Sequence, residues 1–146
     1  QILKIMKLDI SKLTLEELKI YKRFHKKIEP KIKKLDFNFA DMKKGEVMLI
    51  STPKEIIDIT KKIPSQTKLD FKTIRLKLAK KHKVNNTCPV TFGIFLRLAI
   101  EFSLIEAKYV KLNYPKFPFW RVKFDEKSNI YKKIKNFKDL LNKFDD

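Results

Sequence analysis

The fold of this chain is decided by one stretch, Thr87-Cys88-Pro89-Val90-Thr91-Phe92-Gly93-Ile94-Phe95-Leu96-Arg97. Thr87 or Cys88 is placed to cap a helix whose first turn contains Pro89, where a proline is tolerated because no intrahelical N–H bond is needed. Apolar residues then recur at steps of three and four, which is the spacing of one buried helical stripe. The members of this stripe are Phe92, Phe95, Leu96, Ala99 and Phe102.

A second amphipathic helix precedes this one in the chain. Phe71, Ile74 and Leu78 form its apolar side, and a polar turn at residues 83–86 separates it from the Pro89 helix. Two helices joined in this way predict a helix-turn-helix whose second helix reads DNA. The basic side of the first helix contains Lys72, Arg75, Lys80 and Lys81, which we predict to be DNA contacts.

The charge of the chain points to a polyanionic partner. The 146 residues carry a formal net charge of +18, so nucleic acid is the first candidate and an anionic membrane surface the second. A coding bias is an alternative explanation, since 31 of the 35 basic residues are Lys and only two residues are Gly. However, residues 61–86 hold nine basic residues and one acid. This concentration on the predicted helix pair favours DNA binding.

Cysteine and histidine usage limits the chemistry. Cys88 is the only cysteine, which excludes an intramolecular disulfide and a zinc site built from cysteines. His25 and His82 stand alone, so we predict no metal site and no cofactor. The chain lacks an apolar run of about 18 residues, and we expect no membrane span and a cytoplasmic, nucleoid-associated protein.

Local patterns predict the remaining elements. Thr14 followed by Glu17 is a capping box that starts a helix ending near Glu29, and residues 46–50 form a buried strand. Thr52-Pro53 starts another helix. Residues 119–124 and 130–131 predict two strands of a wing, and residues 137–144 a closing helix. The predicted fold is α+β, mainly α: a winged helix-turn-helix domain at residues 44–146 with an N-terminal helical arm at residues 1–43.

The order of these motifs resembles a known family. Ile63-Pro64, then Phe71-Lys72-Thr73-Ile74, then a helix with Gly93, then Pro118-Phe119-Trp120-Arg121-Val122 is similar to the DNA-binding domain of the O6-alkylguanine-DNA alkyltransferases. The chain looks more like their alkyltransferase-like relatives, which lack the acceptor cysteine. The resemblance covers residues 44–122, and the closing helix also fits.

The resemblance implies a non-enzymatic DNA-binding protein. Phe119 and Trp120 stand where alkyltransferases carry the acceptor cysteine and its histidine, and neither side chain supplies a nucleophile or a base. Alkyltransferase-like proteins bind alkylated DNA and pass it to excision-repair proteins. By resemblance, Phe119, Trp120 and Arg121 would line a base pocket, and Gly93 would let the DNA backbone approach. The family carries an Arg that fills the space left by a flipped base; the matching position here is near Val90, which has no charge.

Several residues have structural explanations beside the functional ones. Trp120 fits a core position as well as a base stack, and Arg97 is four residues from Glu101, so an ion pair is an equal explanation. Cys88 is a candidate alkyl acceptor, although no histidine or acid is close in sequence, and we interpret it as a cap.

The sequence therefore leads to three functional hypotheses. The first is a non-enzymatic sensor of O6-alkylguanine in double-stranded DNA, and the second is an architectural or regulatory DNA-binding module without lesion preference. The third is an enzyme that transfers an alkyl group to Cys88, which we rank last. The predicted DNA contacts are Phe71, Lys72, Arg75, Lys80, Lys81, Thr87, Cys88, Thr91, Gly93 and Arg97.

Overall fold

The computed structural model describes residues 7–146 and is an α+β fold dominated by helices. Short 3-10 turns occur at Ile10–Lys12 and Phe119–Arg121. The helices are α1 (Leu15–His25), α2 (Pro53–Lys61), α3 (Phe71–Lys81), α4 (Pro89–Val110), α5 (Asn129–Lys133) and α6 (Phe137–Phe144). The predicted α+β class is confirmed.

The strands form two small sheets. Strands β1 (Lys31–Lys34) and β2 (Val47–Ile50) pair antiparallel, and β4 (Asn86–Thr87) pairs with β2 in parallel. Strand β3 (Leu69–Asp70) pairs in parallel with β5 (Val122–Lys123), with Leu69 opposite Val122. Strand β4 thus lies in the connection between α3 and α4, and the sheet fixes where α4 begins.

The predicted helix pair is present with the predicted core. Asp70 caps α3 by accepting a hydrogen bond from the Thr73 N–H at 2.8 Å. Along α4, Phe92, Leu96 and Ala99 are fully buried, because their three- and four-residue spacing places them on one side of the helix. They pack with Ile74 and Leu78 of α3 and with residues of α2 in one hydrophobic core.

The N-terminal residues are integrated into this fold. The capping box is confirmed: the Glu17 N–H donates to Thr14 Oγ1 and the Thr14 N–H to Glu17 Oε1. Helix α1 ends at His25, four residues before the predicted end, because the chain becomes extended at Lys26 and leads into β1. Helix α1 packs on α4. The proposed boundary at residues 43/44 falls between the paired strands β1 and β2, and residues 1–6 of the proposed arm lie outside the described residues.

The predicted wing is wrong. Residues 119–121 form a 3-10 turn, β5 has two residues and pairs with β3, and residues 129–133 form α5. Two causes are visible in the structure. Phe119, Trp120 and Val122 are all buried, so the segment does not alternate between core and solvent as a hairpin would. Ser128 Oγ accepts a hydrogen bond from the Ile130 N–H at 3.3 Å, and this cap starts a helix where a strand was predicted.

Candidate nucleic-acid interface

A groove at the N-terminal end of α4 brings several predicted DNA contacts together. We call it the α4 groove; its volume is about 490 Å³. Its walls come from the start of α3, the first three turns of α4, and α5 with its N-cap residue. The lining residues include Phe71, Gly93 and Arg97, all predicted, and Val90, Ile94 and Lys133.

The α4 side of this groove has an exposed apolar surface. Val90 is 55% exposed and Ile94, one turn later, is 42% exposed. Gly93 lies between them, and a Cβ placed at Gly93 would meet no atom within 4 Å. The protein itself therefore does not need a glycine here, and the missing side chain leaves the helix backbone accessible to a ligand.

Arg97 has both of the roles that the sequence left open. Its Nε is 3.4 Å from Glu101 Oε1, close enough for an ion pair but outside hydrogen-bond geometry, and the residue also lines the α4 groove. Burial raises the pKa of the Glu101 carboxyl, and Arg97 opposes this shift. The ion pair holds the guanidinium group at the groove wall.

Lys80 and Lys81 lie in a different place from the α4 groove. They line a cleft between α2 and α3, which we call the α2–α3 cleft, together with Lys62 and Lys77. At 100° per residue, Lys72 and Lys81 are roughly 180° apart around α3. The predicted basic face of α3 is therefore divided: Lys72 is exposed next to Phe71, and Lys80 and Lys81 face α2.

Arg75 is not a DNA contact, which corrects the prediction. The side chain is 8% exposed, and its guanidinium donates two hydrogen bonds to the Asp41 carboxylate at 2.7 and 3.1 Å. Its Nε donates to the Thr87 carbonyl at 2.9 Å. The Arg75 guanidinium also lowers the pKa of Asp41. Arg75 thus uses its donors to hold the segment that leads into α4.

Thr87 and Cys88 are also turned away from solvent, and Thr91 is half-buried. Thr87 is fully buried, and its Oγ1 donates to the Arg75 carbonyl at 2.7 Å. Cys88 is 5% exposed and packs beside Met42 and Met48 in a small apolar cluster. It occupies the N-cap position of α4 but makes no side-chain capping bond. Thr91 Oγ1 is enclosed and has no hydrogen-bond partner in the described part of the chain. The prediction of DNA contacts is wrong for the buried side chains of Thr87 and Cys88, whereas for Thr91 it stays a prediction.

The predicted base pocket is closed. Phe119 is fully buried, and Trp120, 4% exposed, packs beside Phe144 in the same core. Arg121 pairs with Asp146 at 2.7 Å and lowers the pKa of that carboxyl. Its Nη1 donates a hydrogen bond to the Ile63 carbonyl at 3.0 Å. The indole N–H of Trp120 has no hydrogen-bond partner among residues 7–146. The core explanation for Trp120 is therefore confirmed.

Sequence reasoning missed the contribution of α5 to the α4 groove. Ser128, Asn129 and Lys133 line it, although the sequence predicted a turn and a strand there. The signal that would have identified them is Ser128, which is a common helix N-cap residue. A helix over residues 129–133 places Lys133 one turn after Asn129.

Comparison of the chain with protein-family models, with curated proteins and with solved structures found no match. Within residues 7–146, no helix combines the length and apolar character needed to cross a membrane. In the same range, no three His, Cys, Asp or Glu side chains are grouped as metal ligands.

Proposed function

We propose that this protein binds double-stranded DNA without catalysing a reaction on it, using the α4 groove and the adjacent Lys72. The observation that carries the proposal is the meeting of Phe71, Gly93 and Arg97 in one open groove whose α4 wall is exposed. Lys133 adds a cation from α5. Cations and accessible helix backbone at a helix N-terminus are the groups that hold DNA phosphates.

The side chains of the α4 wall suit contact with the interior of a DNA groove. Val90 and Ile94 are apolar, so they contribute no phosphate contact, but proteins that bind the minor groove often place apolar side chains against base steps. Lys72 and Lys133 are exposed and supply the charge beside them. The combination of charge and apolar surface supports DNA binding more strongly than either feature does alone.

Binding without lesion preference is favoured over the damage-sensor hypothesis. The residues that the resemblance assigns to a base pocket, Phe119 and Trp120, are buried in the core. Opening that pocket would remove two aromatic side chains from their packing, at a cost of several kcal/mol. The second candidate, O6-alkylguanine recognition, keeps one supporting observation: the α4 groove adjoins the Phe71 ring and has a volume of about 490 Å³.

Transfer of an alkyl group to Cys88 has no support from the geometry. The thiol is 5% exposed among apolar side chains, and it does not line the α4 groove. A mass measurement after incubation with O6-methylguanine DNA tests this directly. A gain of one methyl group on Cys88 would revive the enzyme hypothesis.

Fluorescence anisotropy of matched duplexes, with and without one O6-methylguanine, tests the proposal across a salt series. We expect equal affinity for the two duplexes and a steep decrease of affinity with salt, because binding releases counterions. Tighter binding to the modified duplex would establish the damage sensor. Binding to neither duplex at moderate salt would refute the DNA-binding proposal.

Two double variants with the same change of charge locate the interface. Lys72→Gln/Lys133→Gln removes charge at the α4 groove, and Lys77→Gln/Lys80→Gln removes it at the α2–α3 cleft. We expect the first pair to reduce the salt slope by about 0.9 for each phosphate that the protein no longer neutralises. The second pair should leave the slope close to that of the wild type. The opposite order would place DNA on the cleft.

A further inference from the structure

The α2–α3 cleft is a separate cavity with its own lining. Its volume is about 410 Å³, and no residue that lines it also lines the α4 groove. Four apolar residues contribute to its surface: Ile59, Ile63, Pro64 and Leu69. A volume of this size is within the range of roughly 300–1,000 Å³ that is usual for small-molecule sites.

The charged residues of the cleft leave an excess of cations. Lys62, Lys77, Lys80 and Lys81 outnumber the two carboxylates, Glu55 and Asp58. Lys81 pairs with Glu55 at 3.5 Å. Among residues 7–146, the ammonium groups of Lys62, Lys77 and Lys80 form no ion pair. Three cations at the cleft are therefore available to an anion.

The Glu55 carboxylate already has partners within the protein, which weaken its electrostatic repulsion of an anion in the cleft. Its side chain is 11% exposed, its Oε1 accepts a hydrogen bond from Ser51 Oγ at 3.0 Å, and its Oε2 is 2.6 Å from His82 Nε2. These contacts join α2 to the end of α3 and hold the cleft walls together. Asp58, in contrast, is exposed at the cleft margin.

We propose that the α2–α3 cleft binds a small amphipathic anion, a molecule with a compact apolar body and one phosphate or carboxylate group. The apolar body would lie against Ile59 and Ile63, and the anionic group would bind Lys77 and Lys80. The volume of the cleft suits a small molecule, and its apolar residues lie beside the unpaired lysines. The apolar residues and the unpaired lysines together favour a ligand that has both an apolar body and an anionic group.

The assignment is tested by two-dimensional ¹H–¹⁵N NMR titration of the full chain with four probes at fixed ionic strength. Hexyl phosphate and hexanoate carry both parts, inorganic phosphate has only the anionic group, and 1-hexanol has only the apolar body. We expect the two amphipathic anions to shift amide resonances at residues 59–63 and 77–81, and to bind more tightly than either fragment. The stronger of the two identifies the preferred anionic group.

Lys77→Gln/Lys80→Gln should weaken hexyl phosphate binding about ten-fold, since charge-assisted hydrogen bonds are lost. Both side chains are exposed, so the variant is expected to fold, which its amide spectrum checks directly. Lys72→Gln/Lys133→Gln is the matched control and should bind hexyl phosphate like the wild type. Unchanged binding in the Lys77/Lys80 variant, or resonance shifts centred on residues 89–97, would overturn the assignment.

The test is independent of the DNA-binding proposal. Failure of the cleft to bind the probes leaves duplex binding at the α4 groove untouched, and failure to bind duplex DNA leaves the cleft result unchanged. The two variant pairs separate these cases because each removes two charges from one region only.

Discussion

The α4 groove and the α2–α3 cleft both border α3, yet they differ in what holds them open. The cleft is lined by residues of α2 and α3, which pack directly against each other, and by residues of the segment that connects them. The α4 groove depends on a longer chain of contacts, in which Asp41 holds Arg75, Arg75 holds Thr87, and Thr87 precedes the first turn of α4.

The helix pair α3–α4 is not a self-contained unit. Strand β4 lies between the two helices and pairs with β2, and the Cys88 N–H donates to the Leu49 carbonyl at 2.8 Å. The start of α4 is therefore fixed by the sheet and by an aspartate from the N-terminal segment. Changes far from the α4 groove should alter it more than they alter the cleft.

The largest expected effect comes from Arg75→Ala. The substitution leaves the Thr87 carbonyl and the Asp41 carboxylate without their donor, and we expect a loss of about 2–4 kcal/mol in the free energy of unfolding. The value is below that for a wholly buried pair because the Asp41 side chain is 37% exposed. Urea unfolding measures it. Lys72→Ala, on the exposed side of α3, is the control and should change stability by less than about 0.5 kcal/mol.

Asp41→Asn is the sharper form of the same experiment, since it keeps the size of the side chain and removes its charge. We expect weaker duplex binding and unchanged hexyl phosphate binding, because Asp41 acts on the route to α4 only. Equal losses at the two sites would show that they respond to general destabilisation, and would end the distinction between them.

Low pH should destabilise the whole fold, and with it both the α4 groove and the α2–α3 cleft, through Glu17, which lines neither of them. Burial alone would raise the pKa of Glu17, but hydrogen bonds from Lys108 and Tyr109 outweigh it and lower the pKa to about 2. A lowered folded-state pKa contributes stability above the unfolded value of 4.5, and this contribution is lost as the pH falls towards 2.

The measurement compares the thermal midpoints of wild type and Glu17→Gln at several pH values. At neutral pH the variant should be less stable by about 1–3 kcal/mol, the cost of losing hydrogen bonds to a charged group. The difference should shrink steadily below pH 4.5. A difference that stays constant down to pH 2.5 would show that Glu17 does not titrate as this geometry requires.

The smallest effect on stability, with the opposite sign, is expected from Gly93→Ala. The new methyl group meets no atom within 4 Å, and alanine is the better helix former, so stability should rise by about 0.5–1 kcal/mol. Duplex affinity should nevertheless fall if DNA approaches the α4 backbone, and hexyl phosphate binding should not change. Denaturant unfolding and anisotropy on the same preparation check both; a gain in both would remove Gly93 from the interface.

Elements with local signals in the sequence were predictable. Thr14 and Thr52 each cap a helix with the expected side-chain hydrogen bond, and the Phe92–Leu96 stripe is buried as its spacing requires. Strand β1 was missed because all four of its residues are exposed and it lacks apolar alternation. Its strand conformation comes from pairing with β2, which is a tertiary effect.

The candidate site was less predictable than the fold. The sequence named Phe71, Gly93 and Arg97 as DNA contacts, and the structure brings these three residues to one groove. It failed for Arg75, whose partner Asp41 is 34 residues away in the chain. It left Trp120 open between core and pocket, because that choice depends on how Phe144 of α6 packs against the indole ring.

The exposed strand β1 has a consequence for the behaviour of the protein at high concentration. It forms one edge of the three-stranded sheet, and an edge strand offers unpaired backbone groups to another molecule. Three of its four residues are lysines, and the fourth, Ile32, is 55% exposed. Two copies meeting edge to edge would place lysine opposite lysine, which is destabilising. The lysines of β1 therefore protect the protein against self-assembly into extended sheets.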